Sequence, residues 1–131
     1  MKLKGKDFLE VERIEGEVPK IKANNELDLY YGLGYCHALD RGIQMMVMRI
    51  LGSGTASEHL KSSEEMFDID NFFRAAGWTQ NIKEEIQKFT ETELELLNSY
   101  CKGVNDSFSK NKPWELSLLL KYKKFDWAIE D

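Results

Sequence analysis

Two cysteines in 131 residues, Cys36 and Cys101, are too few for a disulfide framework. One bridge between them stays open at the level of sequence; otherwise both thiols read as small core residues. Together with the only two histidines, His37 and His59, they match no zinc-binding spacing, so no metal site is expected in this chain. An excess of positive charge is missing as well. The balance is −5, which argues against nucleic acid or an anionic membrane as the main partner, because both reward a basic face. The basic start MKLKGKDFLE has no apolar run behind it, so it is not a secretory signal as it stands, although a mature exported chain with an added Met would look the same. No repeat, low-complexity tract or linker interrupts the chain, and residues 1–131 read as one unit.

What is present is a globular composition, 42% hydrophobic and 31% charged, and enough length for a real core. FLEVERI (8–14) alternates apolar and polar with period two, EGEVP supplies a turn, and KIKA (20–23) reads as a second strand. Residues 1–24 are therefore expected to hold a strand pair, and residues 25–131 helices. Asn25 can cap a helix that runs to about Leu51, with Asp28 in its first turn and Gly52 and Gly54 at its end. A short helix over 68–76 should stop at Gly77, and residues 80–89 read as another. Thr90 and Glu93 form a capping box ahead of Leu94, Leu97, Cys101, Val104 and Phe108, which follow at steps of three and four. Pro113 fits the first position of a last helix with Leu116, Leu119 and Leu120. The fold class is mainly α with a short N-terminal β-hairpin.

The stretch YYGLGYCHALDRGIQMMVMRILGSGTASE (30–58) is the most informative. Leu27, Tyr31, Tyr35, Leu39, Ile43 and Val47 make an apolar row at steps of four. Each step advances about 40°, so the row winds over more than half of the helix. Tyr30, Leu33, Met45, Met46, Met48 and Ile50 extend it to other faces. A helix apolar nearly all round is buried nearly all round. A membrane span is disfavoured because Asp40 and Arg41 would sit near its midpoint. The expectation is that further polypeptide, beyond what the other helices here supply, covers this rod. Gly34, Ala38 and Gly42 form a row of small residues that lets another backbone approach closely.

His37, Asp40 and Gln44 share a face of that helix. They allow two readings, proton transfer or buried partners that satisfy one another, and the second is favoured because no Ser, Cys or Lys stands beside them as a nucleophile. Glu58 reads as a loop-ordering group or a partner for Arg49, and Asp70 with Arg74 as an ordinary i,i+4 pair. Trp78, Trp114 and Trp127 read as packing anchors. The GLG at 32–34 lacks the third glycine, His37 standing there, and lies inside a helix, which excludes a dinucleotide fingerprint.

Six elements in register resemble the α-chain region of the penicillin amidase family, which also includes cephalosporin acylases and acyl-homoserine lactone acylases. They are VPKIKA (18–23), DLYYGLGYCHALDRGIQM (28–45) with Arg49, GTASE (54–58), Asp70 with Arg74, YCKGVN (100–105), and PWELSLLLKY (113–122) leading to Trp127. Departures from the family pattern are Lys20 in place of a histidine, Glu17 in place of a glycine, and Lys61 in place of a glycine. The resemblance implies part of an αββα N-terminal-nucleophile hydrolase, whose precursor cleaves itself into α and β chains. The new N-terminal Ser of the β chain would attack a linear amide, such as the acyl bond to a β-lactam nucleus or a homoserine lactone. It implies no catalytic residue in this chain and leaves the substrate-binding residues unassigned. His37, Asp40, Arg41, Gln44, Arg49 and Glu58 carry over as a scaffold motif only. Calcium in the complete enzyme, a β-chain partner and a periplasmic or extracellular setting are further implications. The alternative is a non-catalytic helical binding or regulatory module that keeps the scaffold.

Overall fold

The computed structural model describes residues 3, 5–111 and 126–131. Strands β1 (Leu9–Arg13) and β2 (Pro19–Ala23) pair antiparallel, with Val11 opposite Ile21. Leu9 and Val11, the apolar positions of the period-two pattern, are buried. The hairpin turns through a short 3-10 segment, Glu15–Glu17. Both Gly16 (φ 75°) and Glu17 (φ 59°) are left-handed there. Glycine adopts that conformation without penalty, whereas Glu17 carries a Cβ against its own carbonyl.

Helix α1 spans Glu26–Gly52, and the Asn25 side chain accepts the Asp28 N–H at 2.8 Å, as the capping pattern requires. Asp28 itself turns inward. It accepts the backbone N–H groups of Lys6 and Asp7 at 2.7 and 2.8 Å and ties the N-terminal segment to the helix. The helix is interrupted once, at Arg41 (φ −131°, ψ 17°). After Ser53 and Gly54 comes a one-turn helix, α2 (Ala56–His59), in a stretch expected as loop. Helix α3 (Glu64–Ala76) begins four residues before the expected start because Ser63, not a later residue, caps it through the Met66 N–H. Gly77 ends it at φ 73°, and α4 (Trp78–Ile86) follows without a linker. Helix α5 (Glu91–Asn111) starts at the capping box: the Glu93 carboxylate accepts from the Thr90 N–H at 2.7 Å and from its hydroxyl at 2.8 Å. The helix expected from Pro113, with Trp114, Leu116, Leu119 and Leu120, lies outside the described residues.

The core forms where α1 crosses α5, the most extensive contact between two elements. Ala38, Met46 and Ile50 of α1 meet Val104 and Phe108 of α5, with Ala56 closing one end. The crossing is close because both helices present glycine. A Cβ on Gly34 would stand 2.1 Å from the Tyr100 carbonyl oxygen, and one on Gly103 would stand 2.0 Å from that of Tyr31. Gly34, Ala38 and Gly42 are all buried, as a close-approach ridge should be. Gly32 plays the same part towards the hairpin, beneath Ile21 and Leu9. Cys36 and Cys101 are buried and free, which settles the open question of a bridge. Among the described residues no helix is long and apolar enough to cross a membrane.

Candidate functional site

The polar groups of the central motif do not converge. Asp40 points to the hairpin, where the Arg13 guanidinium grips both carboxylate oxygens, at 2.6 and 2.8 Å. Arg13 also donates to the Glu17 carbonyl at 2.9 Å, so one side chain binds helix and turn together. The hydrogen bond to Asp40, against some loss from burial, holds the guanidinium proton more tightly than usual. His37 faces the other way, its Nδ1 lying 3.0 Å from the Tyr100 hydroxyl with the rings edge to face. The sequence reading grouped His37, Asp40 and Gln44 as buried mutual partners. All three are exposed, and His37 and Asp40 are answered by α5 and by the hairpin instead. The reason is that a shared helical face spans a wide arc, and neighbouring elements approach it from two sides.

Arg49 is the buried cation of α1, 7% exposed. Its guanidinium donates to Asp131 at 2.6 Å and to the Asp126 carbonyl at 2.9 Å, and lies 5.2 Å from the Trp127 ring centroid. Asn105 completes the bracket: its amide accepts the Trp127 N–H at 2.7 Å and donates to the Trp127 carbonyl at 3.0 Å. The carboxylate against Arg49 is therefore Asp131; Glu58 lies beside His59, at 4.0 Å. Residues 126–131 are remote in sequence from both Arg49 and Asn105, and of them the sequence marks only Trp127.

The loop-ordering role expected of Glu58 belongs to Asp70. This carboxylate, 2% exposed, accepts from the Ala56 N–H (2.6 Å), the Ser57 N–H (2.9 Å) and the Ser57 hydroxyl (2.5 Å). Arg74 donates to the Gly54 carbonyl at 2.8 Å. The pair expected to bridge along one helix instead reaches across and fastens GTASE. Burial works to raise the Asp70 carboxyl, but the hydrogen bonds outweigh it and hold it below the ordinary carboxylate range. Asp28 behaves in the same way.

Little of this is reactive. Burial pushes the Cys36 and Cys101 thiols up, away from the thiolate. Burial and the hydrogen bond to Asp106 raise Tyr31 well above the ordinary phenol value. Among the described residues no group of three or more His, Cys, Asp or Glu side chains can hold a metal ion. What the arrangement offers is a surface. His37, Arg41, Gln44 and Met48 line a groove of about 780 Å³ whose far side is Trp78 and Ile82 of α4. Elsewhere on α1, Leu29, Tyr30, Leu33, Leu39 and Ile43 are 36–41% exposed, and Met48 in the groove is 55% exposed. Among the described residues, the rod expected to be apolar nearly all round is covered on one side by α5 and the hairpin and is partly exposed on the other.

The penicillin amidase family model matches residues 9–131. Similar proteins include penicillin G acylase of Escherichia coli, 33% identical over 97 residues that make up 74% of this chain and 11% of that protein. The acyl-homoserine lactone acylase QuiP of Pseudomonas fluorescens (strain Pf0-1) is 30% identical over 117 residues, 87% of this chain and 14% of that protein. Penicillin acylase 2 proenzyme of Pseudomonas sp. (strain SE83) is 31% identical over 103 residues, covering 79% and 13%. The chain thus spans 11–14% of the length of these curated relatives. The structure of thermostable penicillin G acylase from Alcaligenes faecalis superposes with a TM-score of 0.77 at 23% identity, over 93% of this chain and 66% of that one, which shows the same fold.

Proposed function

Because the chain belongs to the penicillin amidase family, we propose that it is the N-terminal part of the α subunit of an enzyme that hydrolyses a linear amide. The observation that carries this reading is the open apolar flank of α1, in a chain whose family match runs from residue 9 to residue 131. A face of that kind asks for more polypeptide. In the complete enzyme a Ser at the start of a β chain adds to the amide carbonyl, its own α-amine taking the hydroxyl proton. The amine product leaves with a proton, and water then releases the acyl group as a carboxylic acid. Preorganised donors on the β chain stabilise the oxyanion of each tetrahedral intermediate. The part played by this chain is mechanical. Asp40 and Arg49 hold the hairpin and residues 126–131 onto α1, while Asp70 fastens the loop to α3 and Asn105 fastens Trp127 to α5, so that the open side of α1 keeps one shape.

The test is to express the chain with the sequence that follows it in its gene and weigh the products. The expected result is two chains formed by self-cleavage before a Ser, with turnover of a chromogenic acyl amide. The 131-residue chain by itself should show no turnover. A stop codon directly after Asp131, with no separate β-chain gene, would instead mark a non-catalytic module.

A further inference from the structure

We propose that the break in α1 at Arg41 is a hinge and that Arg13 is its latch, one guanidinium holding the hairpin turn to the residue just before the break. Helix α1 is regular except at Arg41, whose φ of −131° and ψ of 17° are not helical. No proline lies in the helix to bend it. A break needs a local cause, and two features flank this one. Gly42, the next residue, brings no Cβ to stiffen the turn. Asp40, the residue before, is held from outside the helix, its two carboxylate oxygens taken by Arg13 at 2.6 and 2.8 Å. The same guanidinium donates to the Glu17 carbonyl at 2.9 Å. Glu17 stands at φ 59°, where a Cβ is strained, so the grip holds a turn that relaxes on release.

The two sides of the break carry different loads. Before it, Gly34 packs on the backbone of α5 and Gly32 lies beneath the hairpin. After it, Arg49 holds residues 126–131. The groove is lined from both sides, by His37 before the break and by Gln44, Met45 and Met48 after it. The angle at Arg41 therefore sets both the width of the groove and the bearing of residues 126–131. Met46 and Ile50 share the core with Val104 and Phe108, which keeps the movement small. What the latch governs is how often the break opens. Arg13 and Asp40 are about a third exposed, so solvent and salt screen the pair and the latch is releasable.

The experiment is hydrogen exchange on the protein made from its full-length gene, read amide by amide along α1. Arg13→Ala and Asp40→Ala should each speed exchange of residues 41–46 by about two- to fivefold, the shift expected from a screened surface pair. Exchange of residues 30–38 should not change. Arg13→Lys, a point charge without the fork, should fall between Arg13→Ala and wild type. The double variant should add nothing to either single one. If the variants fail to accumulate, wild type alone decides: raised salt should speed exchange at 41–46 and leave 30–38 as they were. An unchanged rate at 41–46, or an equal rise along the whole helix, would overturn the latch. Neither outcome bears on whether the complete protein cleaves itself or turns over an amide.

Discussion

Gly34 and Gly103 close the crossing of α1 and α5 from opposite sides, each with its missing side chain aimed at a carbonyl oxygen of the other helix. Neither position can take a methyl group while the helices stay where they are, because the obstacle is backbone and not a side chain that can swing away. A Gly→Ala change in an open helix gains about 1 kcal/mol of propensity. Here Gly34→Ala and Gly103→Ala should each lose about 3 kcal/mol or more, the helices having to separate. Gly52→Ala, with nothing within 4 Å of its would-be Cβ, should be neutral or slightly stabilising. Thermal or urea melts of the three variants check the contrast.

The hairpin turn offers the reverse case. Glu17 holds a left-handed conformation that a residue with a Cβ adopts at a cost. Glu17→Gly should therefore stabilise the chain by about 1 kcal/mol, provided the Arg13 bond to the residue 17 carbonyl survives. A melt of the variant, with Glu15→Gly as control, tests this.

Asp28 and Asp70 make the fold acid-sensitive in a defined direction. Their folded-state carboxyls are held below the ordinary value, so the stability they contribute is full above about pH 4, the range of unfolded Asp. It is lost as pH falls further through the folded values. Asp70→Asn should cost about 2–3 kcal/mol at neutral pH, as the buried donors of Ala56 and Ser57 lose a charged acceptor. It should also flatten the acid limb of a stability-versus-pH curve, which denaturant melts from pH 2.5 to 7 would show.

Arg13 and Asp40 are joined by a two-pronged bond at the surface, with side chains about a third exposed. Solvent screening limits such a pair to about 0.5–1 kcal/mol of coupling. A double-mutant cycle of Arg13→Ala and Asp40→Ala should return a value in that range, falling as salt is raised.

Arg49 should be the least replaceable of the charged residues in the motif. Arg49→Lys keeps the charge but loses the forked donors and the stack on Trp127. The expected outcome is release of residues 126–131, read as easier acrylamide quenching of Trp127 fluorescence in a Trp78→Phe, Trp114→Phe background.

The elements that were legible in the sequence are those encoded by neighbours within one turn. The Asn25 cap, the Thr90–Glu93 box and the Gly77 stop are local chemistry, and the structure places each where the pattern does. Helix α2 and the early start of α3 were missed because one turn has no periodicity to detect and Ser63 is a weak signal among Ser62 and Ser63. The partners of Asp40, Arg49 and Asp70 were missed for another reason. Each is 13 or more residues away in sequence, and a single carboxylate or guanidinium carries no mark of which distant group it will meet.

The chain alone determined its class, an N-terminal hairpin and then helices, because hydrophobic period and cap residues act over a few positions. It also placed apolar residues on nearly every face of α1, since that is a sum over one helix. Only the tertiary structure decided which flank stays open. Two glycines let α5 take one side, the hairpin takes another under the hold of Arg13, and Arg41 is left facing outward. That choice depends on which backbones can approach within a Cβ of each other, a property of pairs of elements that no single stretch of sequence contains.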